Sequence, residues 1–439
     1  MTRLPTSIGA GAGAACERPD GAAAALARGR WLRRPLQRLL RAISHGALRV
    51  EWPDGAITEA QGAQPGPRAS IQLLRWRALA RLALGGDLGL AESYRDGDWT
   101  TPDLAALLHF GSLNEASWGA RSRPAWPARW LGRAWHWARA NTRRGSRRNI
   151  AEHYDLGNAF YARWLDPELI YSSAIYSDPA QTLEQAQAAK LECVIERLQL
   201  DALPAGGEIL EIGCGWGALA LALARRHPCR VTGITLSQEQ LAHARARVAA
   251  SAAPTRVELR LQDYRDLDGR YDRIVSIEML EAVGERYWPV YFETLRRCLR
   301  PDGVAVVQVI TIAEAHFEAY RRHPDFIQRH IFPGGMLPTP SAIREQARRH
   351  GLEVVDTLRF GASYAATLAE WRRRFLAAWP EIAALGFDVS FRRLWEYYLA
   401  YCEAGFLSGK VDVGLYTLRP AAAAPQAGAA TPARATTRR

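Results

Sequence analysis

Among the residues able to do chemistry, one run stands out: Glu211-Ile-Gly-Cys-Gly-Trp-Gly217. Glycines at 213, 215 and 217 let the backbone turn sharply and approach a ligand closely, and the amides opening a following helix face the same way. An acid, Glu211, lies two positions before the first glycine. The phosphate-binding GxGxxG/A fingerprint is broken because Ala218 follows Gly217 in another register, although a dinucleotide stays open as the alternative ligand. Thr235 and the pair Asp263-Tyr264 end two later apolar runs and suit an adenosyl group. The hydroxyl can meet a ribose, the acid can accept from the adenine amino group, and the aromatic ring can cover the base. Ser237 and Gln240 also have the spacing of a helix capping box, which needs no ligand.

Further polar residues sit in apolar surroundings downstream. Taken alone, Glu278 and Glu281 read as a solvated helix start, Tyr364 as a core phenol, and Gln308 as a strand residue with a satisfied amide. Cys402, in Tyr398-Leu-Ala-Tyr-Cys402, reads as a small buried thiol among apolar and aromatic neighbours.

The elements that must position these residues alternate. Short apolar runs at 208–212, 230–235, 257–261, 273–277 and 304–310 predict strands, with helices over 218–227, 238–250 and 288–299. Such alternation implies a parallel, doubly wound sheet with ligands at the strand carboxyl ends. A strand at 352–360, a long helical stretch from 367 to 409 and a closing strand at 413–418 follow. Nearer the N-terminus, residues 46–63 alternate about a Pro-Asp-Gly turn, which signals a hairpin, and residues 41–115 read as a small α+β domain. Ala/Gly-rich segments at 1–40 and 419–439 read as disordered tails. Between 116 and 150, Trp118, Trp126, Trp130, Trp135 and Trp137 are interleaved with arginines. This pattern fits a basic amphipathic helix on an anionic bilayer, or equally a linker whose tryptophans dock on the domain at 151–418.

The chain has 439 residues and a formal net charge of +12, which favours anionic partners. Its six cysteines are scattered, with no spacing for a metal, so a reduced, cytoplasmic setting is expected. No apolar run is long enough to span a bilayer. A nucleic-acid partner is not expected, because no base-flipping motif is present.

The chain resembles the cyclopropane fatty acid synthase and mycolic acid methyltransferase family from about 45 to 418. The matching text includes His153-Tyr-Asp-Leu-Gly-Asn158, Tyr171-Ser-Ser-Ala174, the glycine run at 213–217, Gly233-Ile-Thr-Leu-Ser-x-x-Gln240, Ile331-Phe-Pro-Gly-Gly335 and Tyr364 after Phe360-Gly361. The block ending in Gly97-Asp98-Trp99 resembles the lipid-binding domain of the bacterial phospholipid enzymes. The resemblance implies a Rossmann-like class I methyltransferase fold with helical lid insertions. It implies S-adenosylmethionine at Tyr171, Ser172, Glu211, Gly213, Gly215, Gly217, Thr235, Gln240, Asp263, Tyr264 and Arg265. It further implies a bicarbonate ion held by Ser173, Glu281, Gln308, Ile310 and Tyr364, and it points to Cys402 as a cysteine once linked to catalysis.

Four positions depart from that pattern: Ser173 replaces Cys, Gln308 replaces His, and Glu278 and Ala282 replace Gly and His around Glu281. The implied substrate is an unsaturated acyl chain at a phospholipid membrane surface, with the enzyme peripheral to the inner membrane and a homodimer left open. Methyl transfer to an alkene leaves a carbocation, and loss of a proton then closes a cyclopropane or leaves a methylated or methylene-branched chain. The cyclopropane is the expected product and the branched chain the alternative.

Overall fold

The computed structural model describes residues 33–34, 36–119, 156–252 and 254–422. The Pro-Asp-Gly turn joins β1 (His45–Glu51) to β2 (Ile57–Gln61) as the antiparallel hairpin its alternation predicts. With β3 (Gln64–Leu73) and β4 (Trp99–Thr100) they form a sheet of order β2-β1-β3-β4. Residues 36–40, expected within a disordered tail, are helical instead. Leu40 is buried in the core, and the Arg33 guanidinium lies 4.9 Å from the Trp52 ring, so this stretch has packing partners that its Ala/Gly-rich neighbours lack.

The larger sheet comprises β5 (Glu208–Ile212), β6 (Arg230–Thr235), β7 (Val257–Leu261), β8 (Tyr271–Ile277), β9 (Leu299–Ile312), β10 (Leu352–Arg359) and β11 (Val411–Pro420). Their order is β10-β11-β9-β8-β5-β6-β7, with β11 antiparallel to both neighbours. The central strands are continuous apolar runs because helices cover both faces, leaving no solvated side to demand alternation. From β5 the chain winds outward through β6 and β7, then returns to place β8 on the other side. The reversal opens a crevice at the carboxyl ends of β5 and β8. β11 continues to Pro420, two residues into the expected C-terminal tail.

Helices inserted between the later strands stand over that crevice. The long helical stretch expected from 367 to 409 begins at Gly361 and is made of three helices: Gly361–Ala377, Trp379–Ala384 and Val389–Leu407. Pro380 starts the second, Gly386 at φ 102 ends it, and Asp388 caps the third by accepting from the Phe391 amide. The Val389–Leu407 helix also carries the N-terminal block. The Tyr94 hydroxyl donates to Glu396 at 3.1 Å, the Arg393 guanidinium lies 5.3 Å from the Tyr94 ring, and the Ser112 hydroxyl donates to that of Ser408 at 2.9 Å. The basic Trp-rich segment at 120–150 lies outside the described residues, as does the first half of the motif at 153–158.

Phe160 pins the crevice's near wall to the insertion. It is fully buried, with ring centroids 5.1 Å from Phe387 and Trp395 and 5.6 Å from Phe391. Phe160→Ala is expected to cost about 3–5 kcal/mol of unfolding free energy, read as a lower urea midpoint.

Candidate active site

The glycine turn leaves β5 with Gly213, Gly215 and Gly217 at φ 84, 50 and 84, all in the left-handed region that glycine tolerates. The Gly213 and Cys214 amides both donate to the Ile234 carbonyl, so the turn is anchored on β6. A Cβ on Gly217 would come 3.2 Å from the Ala244 Cβ, whereas one on Gly215 would meet nothing within 4 Å. The turn is therefore closed on its helix side and open on the other.

Glu211 lies beneath it, 3 % exposed, and its Oε2 has no hydrogen-bond partner among the described residues. Burial pushes its carboxyl up to about 8, opposed by Lys190. Lys190 is itself buried, pushed down to about 8 by desolvation, and its ammonium donates to Ser172 Oγ at 3.0 Å. Sequence reasoning missed Lys190. Two signals were present: only Lys190 and Lys410 are lysines among 57 basic residues, and Lys190 continues the buried stripe Leu183, Ala186, Gln187.

Thr235 ends β6 and donates from Oγ1 to Gln240 Oε1 at 3.0 Å. Ser237 caps the Gln238–Ala249 helix by accepting from the Gln240 amide. The Gln240 side chain serves Thr235, and only one half of the capping box forms. Asp263 is buried, and its carboxylate accepts from Arg265 Nε at 2.8 Å and Nη2 at 2.6 Å. The Tyr264 ring lies 5.9 Å from Tyr291 and 5.5 Å from the Arg265 guanidinium. Tyr171 shares a hydroxyl contact of 2.8 Å with Tyr398, and its ring is 5.4 Å from Trp371. An acid with an unpaired oxygen, a turn with an open face and an aromatic at the end of β7 are what an amino acid joined to an adenosyl group requires.

Beside this cradle, the structure corrects the reading of Glu278 and Glu281 as a solvated helix start. Both residues are half-buried, and their carboxyls are pushed up chiefly by loss of water, Glu281 to about 8. Glu278 takes φ 51, a left-handed conformation costing a non-glycine residue about 1–2 kcal/mol. Its amide donates to the Gln308 carbonyl on β9 at 2.8 Å. Its Oε1 accepts from the Ser173 amide at 2.9 Å and Gln308 Nε2 at 2.7 Å, and its Oε2 from the Tyr364 hydroxyl at 2.7 Å. The Ser173 hydroxyl turns away to the Ala174 carbonyl. Glu281 Oε1 accepts from the Ile310 amide, and Oε2 is buried without a partner among the described residues. The motif at 331–335 packs here too, with the Met336 amide donating to the Glu281 carbonyl at 2.8 Å.

The five residues expected around bicarbonate are thus together, but they do not fit the ion. Ser173, Gln308 and Tyr364 give their donors to Glu278, and the Ile310 amide gives its own to Glu281. An added anion would face two carboxyls without these donors, and desolvation would not be repaid. Cys402 lies close enough to feel Glu278, and burial pushes its thiol well above the usual range, which opposes a reactive thiolate. Aromatic faces line the surroundings: Tyr364 stacks 4.5 Å from Phe406 and lies 6.2 Å from Trp371.

The mycolic acid cyclopropane synthetase family matches residues 141–415. The chain belongs to this family. It is 40% identical over 398 residues to tuberculostearic acid methyltransferase UfaA1 of Mycobacterium tuberculosis, covering 87% of this chain and 89% of that one. It is 37% identical over 346 residues to cyclopropane-fatty-acyl-phospholipid synthase of Escherichia coli, covering 76% and 83%. The crystal structure of mycolic acid cyclopropane synthase CmaA1 complexed with SAH and CTAB superposes with a TM-score of 0.58 at 30% identity, covering 62% of this chain and 97% of that one. Members of this family are S-adenosylmethionine-dependent methyltransferases, this chain among them, and S-adenosylmethionine is its cofactor.

Gly215→Ala places a methyl on the open face of the turn. It is expected to weaken S-adenosylmethionine binding at least tenfold by calorimetry, with no more than about 1–2 kcal/mol lost in stability from the left-handed backbone. A second expectation concerns Glu281. Folding raises its carboxyl from 4.5 to about 8, so the folded chain holds a proton that the unfolded chain releases. Its contribution is full below 4.5 and is lost as pH rises through about 8. Glu281→Gln should flatten that decline in urea titrations compared across the same pH window.

Proposed function

We propose that this chain methylates a double-bond carbon of an unsaturated fatty acyl chain in a membrane phospholipid and leaves a methylene-branched product. S-adenosylmethionine supplies the methyl group as an electrophilic sulfonium. The observation that carries the reading is the cofactor turn at the end of β5 set beside a half-buried carboxylate, Glu278, held by three donors with aromatic rings around it. An alkene carries no proton to remove before attack, so the site needs no base for the nucleophile. It needs exclusion of water, faces that tolerate a carbocation, and an acceptor for the proton lost afterwards. Tyr364, Phe406, Tyr171 and Trp371 supply the faces, and the Glu278 carboxylate supplies the acceptor.

A branched product, in preference to the ring expected from the sequence, is supported by the relative named tuberculostearic acid methyltransferase, whose match runs over 87% of this chain. It is also supported by the altered residues where bicarbonate was expected. Ring closure is the second reading, favoured by the Escherichia coli relative named for a cyclopropane product. Attachment at an anionic bilayer surface is supported by the net charge of +12. No helix among the described residues is long and apolar enough to cross a membrane.

The test is incubation of purified protein and S-adenosylmethionine with vesicles of an unsaturated phosphatidylglycerol, followed by mass spectrometry of the acyl chains. The expected product gains the mass of one methylene unit and takes up one equivalent of hydrogen on mild catalytic hydrogenation. A product of the same mass that resists hydrogenation would establish the ring, and absence of any mass gain would remove acyl methylation altogether.

A further inference from the structure

We infer that Glu278 is a built-in replacement for an exchangeable anion in the active site: its carboxylate accepts the proton lost from the methylated chain, and turnover needs no bicarbonate. This rests on the acyl-methylation reading above. Three donors converge on this one side chain from three separate parts of the chain: the Ser173 amide ahead of the sheet, Gln308 Nε2 on β9 and the Tyr364 hydroxyl on the Gly361–Ala377 helix. Together they form a cradle for a small planar carboxylate, and Glu278 fills it from within. Glu278 reaches the cradle only because its backbone adopts φ 51, the conformation that glycine takes without strain. A residue kept in that conformation at a cost, with its head group fully satisfied, belongs to a site and not to a loop.

The protonation states agree with this role. All three contacts are donors to Glu278, which favours its ionised form. The neighbouring Glu281, raised by burial and by the Glu278 charge, holds the proton of the pair near neutrality. Gln308 cannot titrate, so the proton acceptor next to the Tyr364 phenol is the carboxylate itself.

The step balances without a further reagent. The alkene π pair forms the new carbon–carbon bond as the methyl–sulfur bond breaks, leaving S-adenosylhomocysteine and a carbocation on the chain. A C–H bond then gives its electron pair to that cation, as an alkene or as a ring bond. Its proton passes to a Glu278 oxygen and later to solvent.

The experiment uses the full-length protein, unsaturated phosphatidylglycerol vesicles, and buffers either scrubbed of carbon dioxide or supplied with bicarbonate. S-adenosylhomocysteine formation is the readout, and cofactor binding by calorimetry is the check on folding. Wild-type turnover is expected to be the same in both buffers. E278Q keeps the shape but accepts no proton, and should lose about 100-fold or more in kcat while binding cofactor normally. E278G vacates the cradle at a position whose backbone suits glycine, and should be slow in scrubbed buffer and recover several-fold on adding bicarbonate. Wild-type dependence on bicarbonate, near-normal E278Q turnover, or E278G that bicarbonate leaves unchanged would each overturn the inference. If wild-type protein forms no S-adenosylhomocysteine with unsaturated lipid in either buffer, it is the acyl-methylation reading that fails.

Discussion

A carboxylate taken out of water has to be met by donors, and the fold around β8 is arranged to meet Glu278 with three. Each donor belongs to a different part of the chain, so satisfying this single group fixes the pre-sheet segment, β9 and the helical insertion relative to one another. Removing one donor would leave a buried charge short of a partner, a larger penalty than the net worth of one hydrogen bond. After burial, the charge of the same carboxylate raises its neighbour's affinity for a proton. Two neighbouring carboxyls with little access to water cannot both ionise readily, and Glu281, one of whose oxygens has no partner among the described residues, is the one left protonated.

A second buried pair organises the cofactor side by similar physics. Lys190 and Glu211 are each driven toward neutrality by burial and each supported by the other's charge. Lys190 also donates to Ser172, one residue from the Ser173 amide that meets Glu278. The cofactor turn and the proton-accepting carboxylate are therefore linked through a two-residue stretch of backbone. A shift of the Tyr171–Ser173 segment would disturb both at once.

Much of this was legible in the sequence, for identifiable reasons. The parallel strands announced themselves as short apolar runs, and the glycine turn by spacing, because backbone requirements leave few residue choices. β6 and β7 fall where those runs place them, while β8 and β9 begin earlier, at Tyr271 and Leu299, because polar or turn-forming residues separate these buried first residues from the apolar runs. The insertion was legible as a helical stretch from 367 to 409 because its apolar periodicity runs through both breaks; Pro380 and Gly386 were the clues that it divides into three helices. The residues gathered around the reactive centre came from resemblance, since single polar residues in apolar surroundings carry no periodic signal. Glu278 was noted as a departure from the family pattern, but its side chain could not be placed in the cradle without tertiary contacts. Lys190 was hidden for the opposite reason: a buried amine on a helix stripe looks like one more polar residue until its partners are seen.

The account's central claim is that the Ser173, Gln308 and Tyr364 donors hold a side chain of this protein and not a separate ion. A crystal structure with S-adenosylhomocysteine and a long-chain amphiphile, grown in the presence of bicarbonate, tests it most directly. The account predicts continuous density from the Glu278 backbone to the carboxylate between those three donors. A detached planar ion in that position, with the Glu278 side chain turned elsewhere, would contradict it.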